Sequence, residues 1–266
     1  MKTSLPNSIS VIVVNWNVAD SLARCLASIR ATKYPNLEII VIDNASSTPI
    51  HPKKVKFIQN KTNVGVPRAW NQGLERATGD YILILNPDTL LPKDFFTKAI
   101  AYLKSHSDVG VLGPKFLDPD GTPQGSVFPE PSIISAIREY WLGQKGLTQK
   151  YTPTGSQPVA VNAISGACMF LSKRTIVKIG KFTEKVFIYY EDMDYCRRLR
   201  QAGMKIIFHP GITIVHEHGQ SSAKSGGAAQ KYHAAASLWY NGPLKHYLLW
   251  FITWTSQKIS KIFRVI

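Results

Sequence analysis

The chain has 266 residues, 44% hydrophobic and 18% charged, a globular composition long enough for one large core or two small ones and not that of a disordered chain. Its 32 Lys and Arg outweigh 17 Asp and Glu, and the resulting formal charge of +15 suits an anionic partner: a phosphorylated substrate, anionic lipid or nucleic acid. Cys25, Cys168 and Cys196 lack CxxC spacing and sit among apolar or helical neighbours, which predicts reduced thiols in a cytosolic compartment and no thiol or metal chemistry.

In chain order, polar Ser4, Pro6, Asn7 and Ser8 precede a short β-rich run, a pattern of neither a secretory signal nor a spanning helix, so a cytoplasmic location is expected. Ile9 to Val14 is a β-branched run ending in Asn15-Trp16-Asn17. Ser21 to Arg30 has helical periodicity, and Leu37 to Ile42 is a second apolar run ending in Asp43-Asn44-Ala45-Ser46-Ser47, which completes a βαβ unit. Val55 to Gln59 predicts a short strand, and Pro67 to Ala77 a helix that stops before Gly79. Tyr81 to Leu85 then runs straight into Asn86-Pro87-Asp88. Pro87 takes the chain out of the ladder and holds Asp88 at a strand's carboxyl end. Asp94 to Ser105 predicts another helix. The alternation predicts an α/β fold, a doubly wound, mostly parallel sheet flanked by helices, with Asn15, Asp43 and Asp88 on the rim where such sheets bind ligands. Asp118 to Pro158, rich in Pro, Gly and Thr around an apolar patch at Ile133 to Leu142, reads as a mobile or acceptor-facing insertion more than as core.

Several stretches carry chemistry. A carboxylate fixed like Asp88 holds a divalent cation or a ligand hydroxyl, with an ordinary turn as the plain alternative. Gly65 permits a tight turn, and Arg68 and Asn71 lie about one turn apart at the start of the next helix, facing a phosphate or sugar hydroxyl or else serving as a cap and a surface arginine. Phe187-Ile188-Tyr189-Tyr190 precede Glu191, Asp192 and Asp194, after which a helical pattern runs to Gly203. Acids at a helix start are often dipole caps. A general base also needs a carboxylate beside a partly desolvated wall, and the two tyrosines supply one. The strand-like runs Lys205 to His209 and Ile212 to Val215 lead to His216, a structural histidine unless a carboxylate such as Asp88 converges on it.

These blocks, from about Ile9 to Ser222, resemble the inverting family 2 glycosyltransferases of the GT-A fold. The resemblance rests on Val11 to Asn17, Val41 to Ser46, Asn63-Val64-Gly65 with Asn71-Gln72-Gly73, Leu85 to Asp88, Ser165-Gly166-Ala167, Tyr190 to Asp194, and His216, and it is nearest to the rhamnosyltransferase-type branch. It implies that Asp43 contacts the nucleoside and that backbone from Val13 to Asn15 lines the base pocket. Arg68 and Asn71 then lie near the ribose or diphosphate. Asp88 and His216 hold a divalent cation, Mg²⁺ or Mn²⁺, with Asn86 standing where the family motif has a further acid. Asp192 is the implied catalytic base with Glu191 beside it, Gly166 leaves room for the acceptor, and Asn63, Asn86 and Asp194 complete the substrate-binding positions. The implied substrates are a dTDP- or UDP-sugar donor, rhamnose being the branch's sugar, and a glycan or polyprenyl-linked acceptor of cell-surface polysaccharide synthesis.

The division expected is a catalytic domain over 1–222 and a helical segment over 223–266. Tyr247 to Thr253, with Trp254, is too short to cross a bilayer of about 30 Å. With Ile259, Ile262, Phe263 and Ile266 at helical spacing and Lys258, Lys261 and Arg264 between, this stretch predicts an amphipathic helix lying on an anionic membrane at its inner face, or else packed on the domain or in a homodimer. Nucleic acid is not expected, because the basic residues are dispersed and no recognition-helix, zinc or RNA-binding signature is present. Rival readings are a sugar nucleotidyltransferase, which lacks its Gly-rich basic signature here, and a nucleotide-sugar or polyanion binder without turnover.

Overall fold

The computed structural model describes residues 7–217 and 228–263. His218 to Ser222 of the matched region lie outside them, as do Arg264, Ile266 and the side chains of Lys261, Ile262 and Phe263. The first half alternates as the sequence predicts: β1 (Ile9–Asn15), α1 (Ala19–Ala31), β2 (Leu37–Asp43), β3 (Lys56–Gln59), α2 (Val66–Arg76), β4 (Tyr81–Leu85), β5 (Thr89–Leu90) and α3 (Phe95–Ser105). The second half is more broken: β6 (Val109–Leu117), β7 (Pro123–Gln124), β8 (Val127–Phe128), α4 (Ile133–Tyr140), β9 (Val159–Ala160), β10 (Ala163–Ile164), β11 (Cys168–Ser172), α5 (Lys173–Ile179), α6 (Glu191–Gln201), β12 (Lys205–His216), α7 (Ala228–Asn241) and α8 (Pro243–Phe263).

The main sheet runs in the order β3-β2-β1-β4-β11-β6-β12-β5. Parallel register pairs Ile9 to Asn15 with Leu37 to Asp43, and Ile9 to Val13 with Tyr81 to Leu85. Because β1, β2, β4, β6 and β12 all point one way, Asn15, Asp43, Asn86 and His216 end on one edge. The strand between β4 and β6 runs the other way: β11 is antiparallel to both, so its beginning, not its end, lies on that edge. Cys168 sits opposite Leu85, which puts the preceding Gly166 and Ala167 beside Asn86, whose N–H donates to the Ala167 carbonyl at 2.9 Å. The runs from Lys205 and from Ile212 are one strand with an irregularity between His209 and Thr213 where Pro210 and Gly211 intervene. The 118–158 stretch departs from the expectation of an insertion outside the core: Val127 and Ala136 are buried, and β8 pairs with β10 in a second small sheet.

Two apolar layers cover the sheet, as period-2 strands with helices on both faces require. Val11, Val13, Val41, Leu83 and Leu85 meet Leu22, Ile29, Phe95 and Phe96 of α1 and α3 on one side. Ile12, Ile40, Ile42 and Ile84 meet Trp70, Tyr195 and Leu199 of α2 and α6 on the other. The three cysteines are buried and unpaired, and burial pushes the Cys25 and Cys196 thiols up to about 12, as inert core thiols. Phe170 on β11 is fully buried, stacked on Tyr81 at 5.5 Å and edge-on to Phe95 at 6.0 Å. Its replacement, Phe170→Ala, is expected to cost about 3–5 kcal/mol in denaturant unfolding; a loss under about 1 kcal/mol would contradict a rigid core around β11.

Candidate active site

Three groups of side chains lie along the strand-end edge. The first is a polar lattice after β1 and β2. The Asn15 amide donates to Asp43 Oδ2 at 2.8 Å, and the Ser46 backbone N–H donates to Asp43 Oδ1 at 2.9 Å. Asn44 donates to Asn63 Oδ1 at 2.7 Å, and that oxygen also accepts from the Gly65 N–H at 3.0 Å. Val13, Asn15, Asp43 and Asn63 therefore come together as expected, but Val13 and Asp43 are wholly buried and Asn15 nearly so. Asp43 acts here through Asn15, whose Oδ1 is buried without a hydrogen-bond partner among the described residues and is an acceptor in waiting.

Arg68 and Asn71 part company. Arg68 stays on the surface, 3.9 Å from Glu184. Asn71 turns inward: its amide donates to the Phe182 carbonyl at 3.0 Å and to Glu184 at 2.8 Å, and its oxygen accepts from the Phe182 N–H at 3.0 Å. Both donors are spent on the 182–184 loop and the side chain is buried, so Asn71 braces structure instead of meeting a ligand. Asp194 is likewise committed, to Arg198 one turn on at 3.0 Å, which corrects its assignment to substrate.

The second group is Asp88 with His216. The β12–β5 register sets His216 opposite Thr89, and the Glu217 N–H donates to the Asp88 carbonyl at 2.8 Å, so the convergence on which the histidine's role depended is present. His216 Nε2 lies 3.4 Å from Asp88 Oδ1, and both side chains are buried. That contact does not form a hydrogen bond, and Asp88 Oδ1 is a buried oxygen without one. Gln124, on β7, explains the orientation. Its amide N–H donates to Asp118 Oδ1 at 2.5 Å and to the His216 carbonyl at 3.1 Å, so its Oε1 faces His216 Nδ1 at 2.5 Å. An amide oxygen only accepts, so Nδ1 carries a proton, and the other ring nitrogen, Nε2, is the one on the Asp88 side. An imidazole nitrogen and a carboxylate oxygen this close together are ligand types for a divalent cation. No third His, Cys, Asp or Glu joins them among the described residues, and the remaining positions suit diphosphate oxygens and water.

The third group faces a cavity of about 730 Å³ lined by Trp70, Asn86, Gly166, Tyr189, Glu191 and Asp192, with α4, α7 and α8 on its far side. The Gly166 N–H donates to Asp192 Oδ2 at 2.8 Å, and the Met193 N–H to Oδ1 at 2.8 Å. Tyr189 and Tyr190 both have left-handed φ, 75° and 66°, a strained pair that turns the chain into α6 so that both carboxylates open the helix. A Cβ on Gly166 would come within 2.4 Å of Trp70, so only glycine fits between the indole and Asp192. Burial raises the pKa values of both Glu191 and Asp192; repulsion from Asp192 adds to the rise at Glu191, while the Gly166 N–H and then the Lys150 charge oppose it at Asp192. Glu191 therefore holds the proton more firmly and Asp192, with two N–H donors, is the better carboxylate. Gln124 and Lys150 are site residues that sequence reading missed, since neither lies in a periodic segment or a recognisable motif.

Comparison with known proteins accords with this geometry. The family described as Glycosyl transferase family 2 matches residues 10–166, more than half of the chain. The chain belongs to glycosyl transferase family 2. This family 2 glycosyltransferase is 24% identical over 268 residues to the Mycobacterium tuberculosis N-acetylglucosaminyl-diphospho-decaprenol L-rhamnosyltransferase, covering 88% of this chain and 87% of that protein. It is 26% identical over 243 residues to the Shigella flexneri dTDP-rhamnosyl transferase RfbF, covering 88% and 77%. Among solved structures, the Pyrobaculum calidifontis mannosyltransferase PcManGT in complex with GDP-Man and Mn²⁺ superposes with a TM-score of 0.59 at 19% identity, over 92% of this chain and 64% of that one. GalNAc-T7 with UDP, GalNAc and Mn²⁺ gives 0.59 at 16% identity, over 79% and 43%, and the glycosyltransferase thus spans less than two thirds of either structure. These likenesses establish the GT-A fold.

The Glu191 environment has a consequence for stability. Its folded pKa lies above the unfolded value of 4.5, so its neutral form contributes stability in full below that value and loses it as pH rises toward about 8. Thermal unfolding of the protein and of Glu191→Gln should therefore diverge in that window, the variant gaining relative stability as pH rises; parallel curves would contradict a buried, proton-holding Glu191.

Proposed function

We propose that this glycosyltransferase moves a sugar, L-rhamnose, from a nucleoside-diphosphate donor, dTDP before UDP, to a hydroxyl of a lipid-linked glycan, in cell-surface polysaccharide synthesis at the inner face of the membrane. The observation that carries the reading is Asp192, a buried carboxylate aimed by the Gly166 N–H into a large cavity that Asn86 also lines. The rhamnose and lipid assignments are supported by the names of the Mycobacterium and Shigella relatives. The donor's base would meet the Asn15 and Asp43 lattice, and its diphosphate would lie between there and Asp88. A divalent cation held by Asp88 and His216 supplies neutralisation of charge on the leaving diphosphate when bound. Asp192 Oδ takes the proton from the acceptor hydroxyl as that oxygen attacks the anomeric carbon and the diphosphate departs on the opposite face. One such displacement inverts the anomeric centre. Trp70 and Tyr189 keep bulk water from the carboxylate; the room that Gly166 leaves is taken by the Trp70 indole, not by an acceptor as the resemblance implied.

The domain division is part of the proposal, with one refinement. Tyr240 of α7 is buried in the core beneath α6, where Arg197 lies 3.4 Å from its ring centroid and Glu130 accepts from its hydroxyl at 3.1 Å. The C-terminal helices thus complete the acceptor cavity. No helix among the described residues is long and apolar enough to cross a membrane. On α8, however, Leu244, Tyr247, Leu248, Phe251 and Trp254 are exposed, and next to it Trp141 donates to the Ile252 carbonyl at 3.2 Å. An outward apolar face on a chain of charge +15 suits an anionic bilayer surface.

Replacing Asp192 by Asn should lower sugar transfer by about 10²–10⁴ and leave nucleoside-diphosphate binding unchanged; near-normal transfer would move the base elsewhere. The residual dependence of the parent enzyme on pH should show an acid limb above the usual aspartate range near 3.9, because burial raises Asp192. The triple change Leu248→Ser, Phe251→Ser and Trp254→Ser should abolish co-flotation with phosphatidylglycerol vesicles; undiminished flotation would remove the membrane from the account.

A further inference from the structure

Lys150 is a cation on the wall of the catalytic cavity that the transfer chemistry leaves unused. It lies in the stretch between α4 and β9, and its ammonium is 4.5 Å from the centroid of the Phe128 ring. Among the described residues it has no hydrogen-bond or ion-pair partner, and its side chain remains open to the solvent of the cavity. Enclosure by the surrounding protein pulls its pKa down, and the charges of Asp192 and then Glu191 pull it back up. The other acids on the cavity wall make no claim on it. Glu130 is taken by Arg197 at 2.8 Å and Arg200 at 2.7 Å, and burial favours the neutral form of Glu191.

The rest of the wall says what an anion there would be attached to. Ala136, Leu249 and Trp250 line the same cavity, and Leu249 and Trp250 belong to α8, whose exposed face carries Leu248 and Phe251. One enclosure therefore offers a site for a hydroxyl at Asp192, a site for an anion at Lys150, and an apolar wall on the helix that presents apolar side chains outward. That set matches a molecule with a sugar hydroxyl, a phosphate and a hydrocarbon chain.

We propose that Lys150 binds the phosphate of a lipid-phosphate acceptor and so positions the acceptor sugar against Asp192. This deepens the glycosyltransferase reading and rests on it. A lone ammonium on an aromatic face gives its full charge to an incoming phosphate, and a charge-assisted contact of that kind corresponds to about tenfold or more in affinity. Because Lys150 touches no atom of the strand-end lattice among the described contacts, the donor nucleotide should not depend on it.

The test is calorimetric titration of the full chain with farnesyl diphosphate, farnesol and inorganic pyrophosphate, each in the presence of a saturating nucleoside diphosphate to occupy the donor site. The expected result is that farnesyl diphosphate binds at least tenfold more tightly than either of the others. Lys150→Met should lose that margin, Lys150→Arg should keep it, and both variants should bind the nucleoside diphosphate as the parent does, which also reports that they fold. Equal affinity for farnesyl diphosphate in the parent and Lys150→Met overturns the proposal, as does a parent that binds farnesol or pyrophosphate equally well. Failure of the parent to bind any nucleoside diphosphate is a separate outcome, which strikes the donor-site reading and not Lys150.

Discussion

The hydrogen bond from the Gly166 N–H to Asp192 Oδ2 joins two parts of the molecule that nothing in the local sequence connects. Gly166 reaches the edge only because β11 runs against its neighbours, and Asp192 reaches it only because Tyr189 and Tyr190 accept left-handed backbone to start α6 there. If β11 were parallel, its first residues would lie at the opposite edge and the carboxylate would have no donor to hold it. The strain at the tyrosines, about 1–3 kcal/mol for each such residue, is held by the packing of α6 against the sheet through Tyr195 and Leu199. A fully buried carboxylate without those two N–H groups would simply stay protonated, and a protonated carboxyl is no base.

The same edge separates functions by chemistry. The β1 and β2 ends form a lattice of amides around one buried carboxylate, suited to reading hydrogen-bonding edges of a base. The β4 and β12 ends bring an acid and an imidazole to one point, with Gln124 setting the ring's proton on the far side. The β11 start and the α6 start together hold the Asp192 carboxylate. In the proposed mechanism, three tasks of a displacement reaction, holding the leaving group, neutralising it and activating the nucleophile, fall on three pairs of neighbouring elements. Asn86 shares the edge with all of them, and its carbonyl is occupied by Thr89 at 2.7 Å while its side chain lines the cavity. An amide there in place of an acid leaves less negative charge on that edge, in keeping with the proposed cation site, where two protein ligands converge among the described residues.

Much of this was legible in the residues. The strands β1, β2 and β4 are continuous apolar runs with polar turns after them, and their ends fall within a residue of where periodicity places them. What escaped was set by distant contacts. β6 is punctuated by Gly110, Gly113 and Pro114, and its register with β12 skips Gly110, so no strand pattern runs through it; β11 is a strand of five residues following a glycine. Asn71 stands at helical spacing from Arg68 and was expected to face the same ligand, yet its partners are Phe182 and Glu184, more than 100 positions later. Gln124 and Lys150 sit in a Pro- and Gly-rich stretch with no period, and only the folded chain shows that this stretch forms part of the cavity wall.

The central claim is that the strand-end edge is a nucleoside-diphosphate site completed by a cation between Asp88 and His216. Calorimetric titration of the purified protein with dTDP, UDP and GDP, each with and without Mn²⁺, tests it most directly. The account predicts that one diphosphate, dTDP first, binds at least tenfold more tightly with Mn²⁺, and that Asp88→Asn removes the enhancement. Binding that is indifferent to the metal in the parent protein, or an enhancement that survives Asp88→Asn, would contradict it.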